Sequence, residues 1–387
     1  MKTIRLIHFI RSLDIGNQGG GAEKFAITLS RELQNCGMEI TLGVMLRFHS
    51  DVENEWAARL VKEGFQVEFL NDGPSPALFK SWKIFQNRFD NQPMDMGHGH
   101  YQVGNLLACM LKINKSLPVV VRTVHTPLEW GSGIQAWLAR QTLTRFFFPL
   151  IMDEQICVNR SGVEQIRKYP GAIIGRKPIT IIPNALPEEM IQYARTVAKN
   201  PRLINKGPKY LIVSIGRVTR LKGYEYLLRA IPGISKTFPS VEFWIVGDGP
   251  DLPRLEQMAR DLGVSNQVVF TGQRNDIPSI LEKADLFVLP SLVEALPTVI
   301  LESMAYGVPV IATDLPGVRE ILEHDQTGWL VPPRDPARLG EQVCQALSSP
   351  PARQNIMSFA AKTVENYSIK KIAAEYLMIY QQLLSQK

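Results

Sequence analysis

The apolar positions of this chain switch between two periods. Thr3–Ile10 is a nearly continuous apolar run with the length of a buried strand, and it leads into a glycine-rich loop, Gly16-Asn17-Gln18-Gly19-Gly20-Gly21. Beyond the loop, Ala22, Phe25, Ala26, Leu29 and Leu33 recur at helical spacing, Gly37 ends the helix, and Glu39–Met45 reads as the next strand. The same alternation predicts strands near 65–70, 118–125, 154–159 and 179–184, with helices between them. Repeated strand–helix–strand units imply a parallel sheet covered on both faces. From 185 to 208 the pattern gives way to a polar segment with Pro187, Pro201, Gly207 and Pro208, the expected domain boundary. A second series then begins, with strands at Tyr210–Ile215, Val241–Val246, Val268–Thr271, Leu286–Pro290 and Val308–Ala312. The chain closes on an amphipathic helix whose stripe is Ile372, Ala373, Tyr376, Leu377, Tyr380 and Leu383. The expected architecture is α/β, with two Rossmann-like doubly wound domains, 1–195 and 196–369. Their ligands should bind at the carboxyl ends of the strands, in the cleft between the domains.

Composition narrows this picture without changing it. A chain of 387 residues suits two to three domains, and 45% hydrophobic with 21% charged residues excludes a long disordered or fibrous protein. The longest apolar run, Phe146 to Met152, falls far short of the ~20 residues that span a bilayer. Arg5 and His8 interrupt any signal-peptide core at the start. Cys36, Cys109, Cys157 and Cys344 lie far apart, which argues against a zinc or disulfide framework and suits a reducing cytoplasm. The net charge of +6 is concentrated in residues 1–199, which carry 23 basic and 18 acidic side chains. That surplus serves solubility, or it favours an acidic partner such as an anionic lipid surface or a phosphorylated acceptor.

The chain holds no GxSxG elbow, HExxH, Walker A lysine loop or Asp-x-Asp metal pair. Gly247-Asp248-Gly249-Pro250 fails the dinucleotide fingerprint because Leu252 stands at the third glycine, so it reads as a simple strand-to-helix turn. More informative is Gly216-Arg217-Val218 with Lys222-Gly223, two cations just past a strand's carboxyl end where a helix begins. Arg217, Lys222 and the helix-start amides suit a diphosphate, although a solvated Arg and Lys on a loop is the plain alternative. In the run Pro290 to Glu302, Pro297 fits a first helical turn, leaving the amides of Thr298 and Val299 for phosphate. Glu294 precedes that helix and Glu302 lies inside it, ~7 Å along the axis. The two carboxylates could hold the hydroxyls of two separate sugars, with Glu302 partly buried beside Ile300, Leu301 and Met304. Gly20 and Gly21, in Gly19-Gly20-Gly21-Ala22-Glu23, open a helix whose amides could approach a phosphate. His98, His100 and His125 stand at or near strand ends, too loosely set for zinc. His125 is placed either to donate to a sugar hydroxyl or polarise a leaving group, or to pack and cap.

Taken in order, these motifs resemble the retaining glycosyltransferases of family 4, which have the GT-B fold. The resemblance spans nearly the whole chain and is densest from 209 to 333. It rests on Gly19–Glu23, Ile182-Pro183-Asn184, Gly216-Arg217 with Lys222-Gly223, Val246–Pro250, Phe270-Thr271-Gly272, the Glu294–Glu302 pair and Thr327-Gly328. It implies that Arg217 and Lys222 hold and stabilise the leaving diphosphate of a nucleotide-sugar donor. Glu294 would hold the donor sugar and Glu302 the ribose. The backbone from Leu296 through Pro297, Thr298 and Val299 would meet the sugar and distal phosphate, with Gly216 beside the diphosphate. Thr271 and Gly272 would lie near the base, Gly20 and Gly21 would close on the phosphates, and His125 would lie near the anomeric centre. The implied reaction is a front-face transfer that retains configuration, with no metal and no cofactor beyond the co-substrate, UDP-sugar being the expected donor. The family's last helix packs back on the first domain, so 370–387 is assigned there. Two departures stand out: Ala295-Leu296 where the family has glycine and then Phe or Leu, and Ser368 where an aromatic is common.

The family's acceptors bind the first domain. There Pro76–Phe89 carries Phe79, Trp82, Phe85 and Phe89 with Lys80, Lys83 and Arg88, suited either to an anionic bilayer or to covering the sheet. The expected acceptor is a glycan or a lipid-linked acceptor. The expected place is the cytoplasm or the inner face of the cell membrane, and no nucleic-acid partner is expected. The alternatives are a sugar-nucleotide epimerase or a phosphorylase on a similar scaffold, or a non-catalytic nucleotide-sugar-binding protein. A nicotinamide oxidoreductase fails on the missing glycine fingerprint.

Overall fold

The computed structural model describes residues 3–16, 20–125, 133–167, 179–199 and 209–387. The chain forms two compact units, Met1–Ala185 with Ile369–Lys387, and Leu186–Ser368. The first is built on seven parallel strands, β1 (Arg5–Ile10), β2 (Glu39–Val44), β3 (Gln66–Phe69), β4 (Met96–Gly99), β5 (Val119–Val124), β6 (Glu154–Cys157) and β7 (Ile179–Ile181), in the order β3-β2-β1-β4-β5-β6-β7. Its helices are α1 (Gly21–Asn35), α2 (Asp51–Lys62), α3 (Leu78–Phe89), α4 (Gln102–Ile113), α5 (Ile134–Ala139), a π-helical stretch Arg140–Phe147 running into α6 (Phe148–Ile151), and α7 (Arg160–Arg167).

Alternate strand residues feed two cores, as the pleat requires. Leu6, Ile10, Leu42 and Val121 pack under α1, while Ile7, Phe9 and Val120 pack with Phe85, Phe89, Leu107 and Phe148 of α3, α4 and α6. Strands buried on both faces read as unbroken apolar runs, which is why β1 and β5 are legible in the sequence. The strand β4, Met-Gly-His-Gly, has no such run and is implied only by the placing of His98 and His100 at or near a strand end. Its glycines carry no strand propensity, yet a Cβ at Gly97 would fall 2.7 Å from Leu117.

The second unit has six parallel strands: β8 (Leu211–Ile215), β9 (Glu242–Val246), β10 (Val268–Gly272), β11 (Leu286–Leu289), β12 (Val310–Thr313) and β13 (Trp329–Val331), in the order β10-β9-β8-β11-β12-β13. Its helices are α8 (Glu188–Lys199), α9 (Tyr224–Thr237), α10 (Leu252–Asp261), α11 (Ile277–Lys283), α12 (Thr298–Ala305), α13 (Pro316–Arg319), α14 (Pro336–Ser348) and α15 (Pro350–Val364). The short edge strand β13 is absent from the sequence expectation.

The boundary expected at 195/196 falls inside α8. Ile191, Ala194 and Val197 are buried there against α12 and α15, so the helix belongs to the second unit from its start. Its polar outer face makes the segment read as linker. Pro201, Gly207 and Pro208 lie outside the described residues. The last helix, α16 (Ile369–Ser385), returns to the first unit and packs on α1. Ile372, Ala373, Tyr376 and Tyr380 are buried, with Leu377 and Leu383 partly so, which is the stripe read from the sequence.

Candidate active site

In the second unit, strand order reverses between β8 and β11, the position where doubly wound sheets bind ligands. The chain leaves β8 through Gly216, Arg217 and a 3-10 turn, Arg220–Lys222. Gly223 follows with φ +64, and a Cβ there would lie 2.0 Å from the carbonyl oxygen of Pro290. Only glycine lets the β8 exit approach the β11 exit so closely, and Leu292 N–H then donates to the Leu221 carbonyl at 2.8 Å. Gly249, in the turn read as simple punctuation, has a similar role. Its Cβ would lie 2.2 Å from the Val218 carbonyl oxygen.

This approach seats Lys222 beside Glu294. Lys222 Nζ donates to Glu294 Oε1 at 2.6 Å, and the same oxygen accepts from Ser291 Oγ at 2.7 Å. The pair is largely buried, with side-chain exposures of 25% and 10%. Ser291 is fully buried, and its carbonyl accepts from Thr313 Oγ1 at 2.5 Å. Arg217 is exposed just past the strand end, and no side chain among the described residues pairs with it.

Pro297 is the N-cap of α12, one position before the first-turn place expected for it, and its carbonyl accepts from Ile300 N–H at 3.0 Å. The Thr298 and Val299 amides therefore open the helix without an acceptor inside it. Leu296, just before them, is buried, and Glu302 is half-buried one turn further on, as expected. At the other end of the row, Thr271 and Gly272 close β10. Gly272 has φ +67, and its carbonyl accepts from Gly247 N–H at 2.9 Å. Two strand spacings, about 10 Å, separate β10 from β8. Thr271–Gly272, Arg217 with Lys222, and Glu294 thus follow one another along one edge of the sheet.

In the first unit the reversal lies between β1 and β4. Gly20 caps α1, and its N–H donates to Glu23 Oε2 at 2.7 Å. Burial raises the Glu23 pKa. A Cβ at Gly20 or Gly21 would meet nothing within 4 Å, so these glycines keep space open at the helix start; Gly19 lies outside the described residues.

His125 follows β5, and its Nε2 lies 3.0 Å from His100 Nδ1. Burial pushes its pKa down to about 4, with Asn184 offsetting part of the effect. Behind this pair lies a polar rung. His98 Nδ1 is 2.6 Å from the Tyr380 hydroxyl, and its Nε2 is 2.8 Å from Thr123 Oγ1, which lies 3.0 Å from the Tyr376 hydroxyl. Ser30 donates its one hydroxyl proton to the Ala26 carbonyl, so it must accept from His8 Nδ1–H at 2.9 Å. His8 is thereby fixed in the Nδ1–H tautomer. Burial lowers the pKa of His8 to about 3, and those of His98 and His100 well below the ordinary value, so all four rings are neutral at pH 7. His8, His98 and His100 bring nitrogens within 4.8 Å of one another, closer than their sequence positions suggest. A cation there would have to displace a His98 bond to Tyr380 or Thr123.

The structure thus gathers Arg217, Lys222, Glu294, Thr298, Val299 and Glu302 on one unit, and Gly20, Gly21 and His125 on the other. Sequence reasoning missed Ser291, His8 and the buried tyrosine hydroxyls. Ser291 lies two residues past the end of β11 and carried that signal. The tyrosines sit in an apolar stripe and carried none.

Two doubly wound parallel units, of seven and six strands, define a GT-B fold. The family profile described as glycosyl transferases group 1 matches residues 196–363, and that of glycosyltransferase family 4 matches residues 19–189. The N-acetyl-alpha-D-glucosaminyl L-malate synthase of Bacillus anthracis is 30% identical over 376 residues, covering 94% of each chain. An uncharacterized glycosyltransferase of Haemophilus influenzae is 30% identical over 83% of this chain and 92% of its own. Among solved structures, Anabaena HepE in complex with UDP and glucose superposes with a TM-score of 0.78 at 18% identity, covering 98% of this chain and 100% of that one. The chain belongs to glycosyltransferase family 4.

Proposed function

We propose that this protein is a retaining, metal-independent glycosyltransferase that moves a sugar from a UDP-sugar to a glycan or lipid-linked acceptor. The observation that carries the reading is the row Arg217, Lys222–Glu294–Ser291 and the α12 amides at the sheet's reversal. In this mechanism the bond from the anomeric carbon to the diphosphate breaks, and its electron pair leaves on the diphosphate. Arg217, Lys222 and the Thr298 and Val299 amides stabilise the charge that develops there. The acceptor oxygen bonds to the same face of the sugar, and its proton passes to a phosphate oxygen. No second carboxylate need flank the bond, unlike most glycosidases. Glu294 orients the sugar hydroxyls and is itself aligned by Ser291 and Lys222. Glu302 takes the ribose, and Thr271–Gly272 border the base.

The first unit carries the acceptor. His125, neutral at working pH, acts as a hydrogen-bonding group rather than as an imidazolium acid. A UDP-bound relative in structure and a synthase in sequence both fit this assignment. The expected place of action is the cytoplasm or the inner membrane face. In the described residues no helix is long and apolar enough to cross a membrane. The test is mass-spectrometric detection of UDP released from UDP-sugars in the presence of a chelator. Release that persists with the chelator and disappears in Arg217→Ala supports the reading, and release that requires added metal contradicts it.

A further inference from the structure

The segment from Ile134 to Ile151 turns an apolar face outward. Ile134 is 70% exposed, Trp137 and Leu138 each 50%, Phe146 41% and Leu150 45%. Ile134, Leu138, Thr142, Phe146 and Leu150 are spaced by four. An α-helical turn holds fewer than four residues and a π-helical turn more, so the drift accumulated along α5 reverses along Arg140–Phe147. The five positions therefore stay on one outward line. The inner side is separate: Thr144, Phe148 and Pro149 are buried, and Phe148 packs in the core beneath α4. Large apolar side chains aligned on the solvent side of a helix mark a binding surface.

The charge of the segment says what covers it. Between Ile134 and Ile151 there is no Asp or Glu, and the charged residues are Arg140 and Arg145. Both arginines are partly buried and Arg145 donates to Gln141, so the segment is positive with no acid of its own, and an exposed Trp137 in such a segment suits a headgroup layer. Helix α3, suited by its sequence either to an anionic bilayer or to covering the sheet, is different. Phe85 and Phe89 are buried in the core, and only Phe79, stacked on Trp82 beneath Lys83, stands out at 62% exposed.

We propose that the outward face of residues 134–150 docks this protein on an anionic bilayer. The inference extends the membrane-linked acceptor of the proposed function, but docking itself can be read without turnover.

The test is flotation of the purified chain with phosphatidylcholine vesicles, with and without phosphatidylglycerol. The wild type should float with the anionic vesicles, and Leu138→Glu with Phe146→Glu should lower the bound fraction about tenfold or more. Lys80→Glu with Lys83→Glu on α3 should change it far less. Since the substituted side chains are exposed, unfolding transitions should stay in place; Trp137→Ser with Leu150→Ser is the second pair if they do not. Absent flotation, or flotation unaffected by either pair, overturns the proposal. So does a stable dimer dissolved by the same substitutions, which would give the face to a second copy. Bound protein that turns over no UDP-sugar would leave the docking surface standing and remove the proposed function instead.

Discussion

At the scale of single residues, a lysine and a glutamate hold each other at the candidate site. Lys222 and Glu294 form a largely buried pair on Ser291, and removing one charge leaves the other unpaired. Lys222→Ala should therefore cost both turnover and about 3 kcal/mol of stability. Arg217→Ala, at an exposed position, should cut turnover by about 100-fold or more while leaving the unfolding transition in place. Steady-state kinetics beside thermal melts separates the two. Near-normal turnover in Arg217→Ala would displace the phosphate site. Gly223 supplies a structural counterpart: with φ +64 and the Pro290 carbonyl in the way, Gly223→Ala should destabilise by more than about 1 kcal/mol, read as a lowered denaturation midpoint. Arg217 and Lys222 were legible because cations past a strand end are unusual enough to notice. Their partners were less so, since a pairing across 72 residues of sequence has no local signature.

At the scale of elements, α16 does more than cover an apolar face. Tyr376 and Tyr380 bring two fully buried hydroxyls to Thr123 and His98. Tyr380→Phe leaves His98 Nδ1 without its partner and should cost about 1–3 kcal/mol in chemical denaturation. An unchanged midpoint would mean that the ring finds another donor or acceptor. The helix itself was readable from its period, because Ile372, Ala373, Tyr376 and Tyr380 recur at helical spacing. The polar use of its tyrosines was not, because burial of the ring and hydrogen bonding of the hydroxyl look alike in a pattern of apolar positions. Strand β4, implied only through His98 and His100, and strand β13, not expected at all, were hard to read for related reasons. The first is half glycine, selected for close packing rather than propensity, and the second is three residues at a sheet edge. In α8 a polar outer face hid a buried stripe, and the boundary moved accordingly.

At the scale of the whole molecule, the four neutral histidines couple stability to pH. Their folded pKa values lie below the ordinary 6.5, at about 3 for His8 and about 4 for His125. As pH falls below 6.5, the unfolded chain takes up protons that the folded chain excludes. Stability is therefore full above that value and is lost toward the folded pKa, by up to about 1.4 kcal/mol per pH unit for each histidine. Glu23, whose pKa burial raises, offsets part of this. Thermal midpoints should drop between pH 6.5 and 5, and a flat profile there would contradict the neutral rung.

The parallel two-unit architecture was legible because alternation of strand and helix periods is a property of the whole chain. The same breadth makes the proposed donor row the most direct object of test. Purified protein incubated without metal against UDP-, GDP- and ADP-sugars should release nucleoside diphosphate from a UDP-sugar, and Arg217→Ala should lose that release. Silence across all three donors would contradict the account, provided that no nucleoside diphosphate shifts the melting transition at about 100 times a plausible Kd, where binding would contribute about 2.7 kcal/mol.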